Sequence, residues 1–102
     1  MIRHIVMWKL KEQAEGKPKS ENALIIKRKL ESLQGEIPGL QSISVFLNSP
    51  ACSPDTNYDV LLDCLLDDVE ALNTYQTHPK HVEAASFVRA VNEGRSCVDY
   101  EI

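Results

Sequence analysis

Nine residues near the start of the chain, IRHIVMWKL at 2–10, alternate in side-chain direction. Ile2, His4, Val6, Trp8 and Leu10 fall on one face, and Arg3, Ile5, Met7 and Lys9 on the other. A period of two over this length marks a β-strand. Apolar side chains stand on both faces, so this strand is expected to be covered on both sides, at least in part.

Three further stretches follow the same rule. In LQSISVFLN (40–48), Ile43, Val45 and Leu47 oppose Ser42, Ser44 and Phe46. In YDVLLDCLL (58–66), Tyr58, Val60, Leu62, Cys64 and Leu66 share a face opposite Asp59, Leu61, Asp63 and Leu65. SCVDYEI (96–102) reads as a final strand. The intervening segments have helical spacing. A stripe of Ile26, Leu30 and Leu33 follows Ser20 or Asn22 as N-cap, and Gly35 with Pro38-Gly39 stops it. DDVEALNTYQT places Val69, Leu72 and Tyr75 one turn apart behind the capping aspartates Asp67 and Asp68, while Asp59 and Asp63 line a strand face. Pro79 interrupts that helix and begins another, which Gly94 is expected to end. KEQAEGKPKS and SPACSPDTN read as loops.

The order strand, helix, two strands, helix, strand predicts an α+β fold over residues 1–102. It suits the ferredoxin-like plan, a four-stranded antiparallel sheet with helices on one face. The other face would then display Ile5, Met7, Phe46, Leu61 and Leu65. An open apolar sheet face is a natural self-association surface, so a twofold homodimer is expected.

Composition narrows the function. A net charge of −4 with scattered lysines gives no footprint for nucleic acid. No apolar run approaches the ~18–20 residues that span a bilayer. The N-terminus has no basic stretch leading into an apolar block, so a cytoplasmic location is the expectation. Cys52, Cys64 and Cys97 are odd in number and form no C-x-x-C, which argues against a disulfide framework or a thiolate metal site.

The stretches MIRHIVMWKLKE, EIPGLQSISVFLN, YDVLLDCLLDDVEALNTYQTHPKHV and VDYEI together resemble the stress-responsive A/B barrel (Dabb) family from end to end of the chain. The resemblance implies a dimeric α+β barrel, two ferredoxin-like subunits packed sheet against sheet. In a relative that closes a linear polyketide by aldol condensation, olivetolic acid cyclase, the catalytic histidine matches His81. Its assisting tyrosine matches Tyr75 and its N-terminal histidine matches His4. That cyclase presents aromatic side chains from its first helix; this chain has none around Ile26 to Leu30, which implies a different substrate. Some relatives hold a magnesium ion on backbone carbonyls matching Gln34, Ile37 and Leu40, although most helix ends bind only water.

The three histidines thus receive separate readings. His78, before Pro79, is expected to end one helix or cap the next. His81 lies in the first turn of a helix, where the positive dipole end disfavours an imidazolium and leaves a neutral general base. Tyr75 would donate to a developing enolate oxygen, and His4 would orient a ring or a substrate oxygen. The alternative is a buried polar cluster without catalysis, in a dimer that binds a small hydrophobic molecule or acts as a stress-associated structural protein. A zinc site at His78 and His81 lacks converging ligands, so neither a metal nor a cofactor is expected.

Overall fold

The computed structural model describes residues 1–52 and 55–102; Ser53 and Pro54, part of the expected turn-rich loop, lie outside the described residues. Strand β1 (Ile2–Leu10) is central, hydrogen-bonded to β5 (Val60–Leu66) on one side and β6 (Asn92–Glu101) on the other. With β4 (Leu40–Leu47) outside β5, the sheet runs β4-β5-β1-β6, all antiparallel. This is the expected ferredoxin-like α+β sheet.

Helices α1 (Lys19–Glu31), α2 (Val69–Thr77) and α3 (Pro79–Val91) cover one face. Ile26 and Leu30 of α1, Tyr75 of α2 and Val88 and Val91 of α3 meet Val6, Leu10, Val45, Leu62 and Leu66 from the sheet in one core. Each fully buried leucine or valine contributes about 1.5–3 kcal/mol relative to exposure. The opposite face carries partly covered Ile5, Met7, Leu61 and Leu65, with exposed Phe46, Val98 and Tyr100. The Arg3–Asp63 ion pair (2.8 Å) lies among them. Among the described residues, no helix is long and apolar enough to cross a membrane.

Several local expectations are corrected. The first polar loop contains a short hairpin, β2 (Gln13–Ala14) with β3 (Lys17–Pro18). Glu15 and Gly16 both have positive φ, the requirement of the tight two-residue turn that joins them. Helix α1 starts behind Pro18, without a side-chain cap, rather than at Ser20 or Asn22. Asn22 is fully buried, and its amide donates to the Ala14 and Lys17 carbonyls, fastening helix to hairpin. Strand β5 begins at Val60; Tyr58 precedes it and shares a hydrogen bond with Ser96 (2.6 Å). The Asp59 carboxylate accepts from the Leu10 N–H (2.8 Å) instead of lining a strand face. Asp68 caps α2, accepting from the Ala71 N–H (2.8 Å), whereas Asp67 accepts from the Gln41 side chain. Gly94 does not end α3. The helix stops at Val91 and the chain is extended from Asn92, so Gly94 lies within β6 opposite Lys9.

The β4 edge is covered by side chains of α1 and of the turn behind it. The Gln34 amide takes the Ile43 N–H and donates to the Gln41 carbonyl, Glu31 accepts from the Val45 N–H (3.0 Å), and Lys27 donates to the Val45 carbonyl (2.6 Å). Burial opposes the Glu31 charge, but the Val45 N–H and Lys27 outweigh it and hold its pKa below the ordinary value.

Gly39 fixes the approach to β4. Its φ is +83°, and a Cβ there would lie 2.5 Å from the Ala71 Cβ on α2. Gly35 has φ +80° with no atom within 4 Å of a built Cβ. Gly35→Ala is expected to cost about 1 kcal/mol from backbone conformation alone. Gly39→Ala adds the collision and should cost about 3 kcal/mol. Urea denaturation of the two variants checks the difference.

Candidate functional site

Register sets the first side chain. His4 pairs with Cys64 on β5 and Asp99 on β6, so all three project towards the helices. His4 is buried, and its Nδ1 hydrogen-bonds the Asp99 carboxylate. A carboxylate only accepts, so Nδ1 is the nitrogen that donates.

His78 and Pro79 set the second. His78 is the N-cap of α3, its Nδ1 accepting from the Lys80 N–H (3.1 Å), with Pro79 in the first helical turn, as expected from H-P. His81 follows in that first turn and donates from Nδ1 to the Gln76 carbonyl (3.2 Å), so in the neutral ring Nε2 holds the lone pair. Burial is the main cause holding its pKa below the ordinary value. The Gln76 carbonyl acts in the opposite sense, and His4, Arg89 and His78 push it further down.

Tyr75 lies between the two rings. Its centroid is 5.9 Å from that of His4, edge to face, and 4.3 Å from that of His81, tilted. The structure therefore brings His4, Tyr75 and His81 together. It does not bring the Tyr75 hydroxyl to a surface: Tyr75 is fully buried, and its Oη has no hydrogen-bond partner among the described residues. The Cys64 thiol is close enough to perturb it, as a weak sulfur partner outside hydrogen-bond geometry. Burial, then Cys64, pushes the phenol pKa up, and burial pushes the thiol up to about 12.

A cleft of about 240 Å³ opens beside these rings, between the sheet and α3. His4 and His81 form part of its wall, Val6, Trp8, Leu62 and Val88 give it apolar sides, and Tyr75 does not line it. Gln76, Asn92, Arg89 and Arg95 add polar groups to the lining; the two arginines are exposed, so the cleft reaches solvent. Sequence reasoning missed Asp99, Arg89 and Arg95. The signal for Asp99 was a carboxylate in the terminal strand at a position that the fold pairs with His4; the arginines read as ordinary solvated charges. In the turns between α1 and β4, the Ile37 carbonyl accepts from the Leu40 N–H (3.2 Å).

The chain matches the family model described as "Stress Responsive A/B Barrel Domain" over residues 2–102. Among solved structures it is similar to a dimeric protein of unknown function and ferredoxin-like fold from Bacteroides fragilis. The identity is 31%, covering 99% of this chain and 95% of that one, with a TM-score of 0.80. A Dabb family protein from Mesorhizobium loti is 27% identical, covering 99% and 95% of the two chains with a TM-score of 0.68. The hydroxynitrile lyase from Passiflora edulis is 20% identical, covering 99% and 92% with a TM-score of 0.78, a likeness of fold alone. No curated protein sequence matches the chain.

The lowered pKa of His81 fixes the sign of a pH effect. Between its folded value and the ordinary one of about 6.5, the unfolded chain holds a proton that the folded chain lacks. Acidification through that window therefore costs stability. His81→Gln should flatten this part of the stability–pH curve. In the wild type, the His81 ring should titrate below about 6.5 by NMR, and titration at or above that value would remove the effect.

Proposed function

The chain belongs to the stress responsive A/B barrel domain family, and on that premise we propose that the cleft performs acid–base chemistry on a small carbonyl compound, with His81 as the base. The observation that carries this reading is the His81 ring in the cleft wall, held neutral, with Nδ1 committed to the Gln76 carbonyl. Its Nε2 lone pair is the nitrogen left to take a proton from a carbon next to the carbonyl. The enolate oxygen so formed would meet the positive charge of Arg89 and Arg95. His4, oriented by Asp99, presents a second ring to the substrate. Tyr75 acts in this proposal by packing, fixing both imidazoles through its ring rather than reaching the substrate with its hydroxyl.

Exchange of α-protons in D₂O tests this directly, using a panel of small ketones and β-diketones followed by NMR. Wild type should accelerate exchange of at least one compound over buffer. His81→Ala should lower the catalysed rate about 100-fold, the scale of a lost general base. Tyr75→Phe should leave it within about threefold, because the lost hydroxyl does not line the cleft. Folded protein that accelerates none of the panel would sink the catalytic reading. It would favour the second one, a non-catalytic dimer binding a small hydrophobic ligand, for which the buried Tyr75 and the backbone-bound His81 speak.

The assembly we propose is a homodimer through the open sheet face, as the apolar Ile5, Met7, Phe46, Leu61 and Val98 favour. Light scattering should give twice the monomer mass, and Phe46→Glu should yield a folded monomer. A monomeric wild type would refute the assembly.

A further inference from the structure

Outside the reaction proposed for the cleft, the edge of the sheet holds a second cluster. His4 Nδ1, Cys97 Sγ and an Asp99 carboxylate oxygen all lie within 4.8 Å of one another. They come from two adjacent strands. Cys97 pairs with Val6 and Asp99 with His4, so both project to the same face as His4, away from the apolar face. We infer that His4, Cys97 and Asp99 form a mononuclear site for a borderline divalent cation of the zinc type.

Donor chemistry, spacing and exposure support this. The donors are one imidazole, one thiolate sulfur and one carboxylate, a set that suits zinc and excludes the all-oxygen environment of calcium or magnesium. Cys97 Sγ is 3.8 Å from His4 Nδ1 and 3.8 Å from Asp99 Oδ1. Zinc bonds of ~2.3 Å to sulfur and ~2.0–2.2 Å to nitrogen or oxygen, at tetrahedral angles, place such donors about 3.6 Å apart. Only the His4–Asp99 contact must open, and Asp99 is the exposed partner, so its carboxylate has room to swing. Cys97 is exposed as well, which leaves the fourth position to water or an incoming ligand. His4, buried and centrally paired, is the rigid member of the set.

In the metal-free chain the same three groups form a hydrogen-bonded cluster, with the Cys97 thiol donating towards Asp99. The site and the cleft share His4: the cation takes Nδ1, whose proton passes to Nε2, the Cys97 thiol proton leaves to solvent, and the bond between cation and thiolate has an absorption of its own. Binding is therefore measurable without any assay of cleft chemistry.

Cobalt(II) is the probe. Titrated into the reduced full-length protein, it should bind at one equivalent per chain and develop a thiolate-to-cobalt charge-transfer band with the visible bands of tetrahedral coordination; zinc should then bleach both. Cys97→Ser should abolish the charge-transfer band and weaken binding at least tenfold. Asp99→Asn should weaken binding at least tenfold while retaining the band. Both substitutions are at exposed positions, and an NMR spectrum confirms the fold of each. Cys52→Ser and Cys64→Ala should leave the band in place. The inference is overturned if wild type shows no charge-transfer band, if the band survives Cys97→Ser, or if it disappears in Cys52→Ser or Cys64→Ala.

Discussion

A strand hydrogen-bonded along both edges has no freedom to slip, and β1, like its neighbour β5, is such a strand. A shift of one residue against either neighbour would turn Val6, Trp8 and Leu10 out of the core and Arg3 and Lys9 into it. Burial on the helix face thus fixes the register against β5 and β6 together. The same register places His4 opposite both Cys64 and Asp99. A polar ring at the centre of a sheet is tolerable only with its hydrogen bond made, and β6, the last element of the chain, supplies the acceptor. The ends of the sequence are thereby joined at the site.

Around that anchor, a shared proton arrangement governs the chemistry. Both imidazoles are tied at Nδ1 by groups that only accept, a carboxylate for His4 and a carbonyl for His81. Both rings therefore donate from Nδ1, and in His81, whose pKa is lowered, the lone pair resides on Nε2. Tyr75 separates the rings with a dry aromatic spacer, so charge on one is felt by the other through a medium that screens poorly. The partners differ in consequence: His4 has a counter-charge at hand, whereas His81 faces His4, Arg89 and His78 and has only a carbonyl dipole. Two rings of one residue type, within reach of one tyrosine, are thus prepared for different roles. The unpaired phenol belongs to the same economy of space, since its ring is required where its hydroxyl finds no acceptor.

Most of the architecture was legible because period-two and helical patterns are local. The faces of β1 and β5 followed from alternation alone, and His78 was readable as a cap because proline leaves few alternatives for the residue before it. Boundaries were less legible. Gly94 looked like a helix stop, yet α3 ends three residues earlier and passes straight into β6, where a glycine opposite Lys9 is tolerated near the register shift between Lys9 and Leu10. Asn22 looked like a cap because its side chain suits one; its partners turned out to be carbonyls of a hairpin that the polar composition concealed. At the site, His4, Tyr75 and His81 were identified together, but Asp99 lies 95 positions from its partner His4. Such pairing depends on strand order and register, which no local pattern encodes. The Tyr75 hydroxyl was misjudged for a related reason, since sequence places a ring on a helix face without saying which end of it meets the cleft.

The side chains of α1 and of the turn behind it that occupy the β4 edge have a consequence for how copies of this chain meet. An outer strand with its amides and carbonyls free is a template on which another chain can lay a strand, and sheets that grow in this way do not stop at two. Here Lys27, Glu31 and Gln34 take up the donors and acceptors of Gln41, Ile43 and Val45 before a second molecule can. Lateral growth at that side is blocked by the chain's own first helix and the turn that follows it. The homodimer proposed above uses the apolar face instead, and contact through a face closes on itself after two copies.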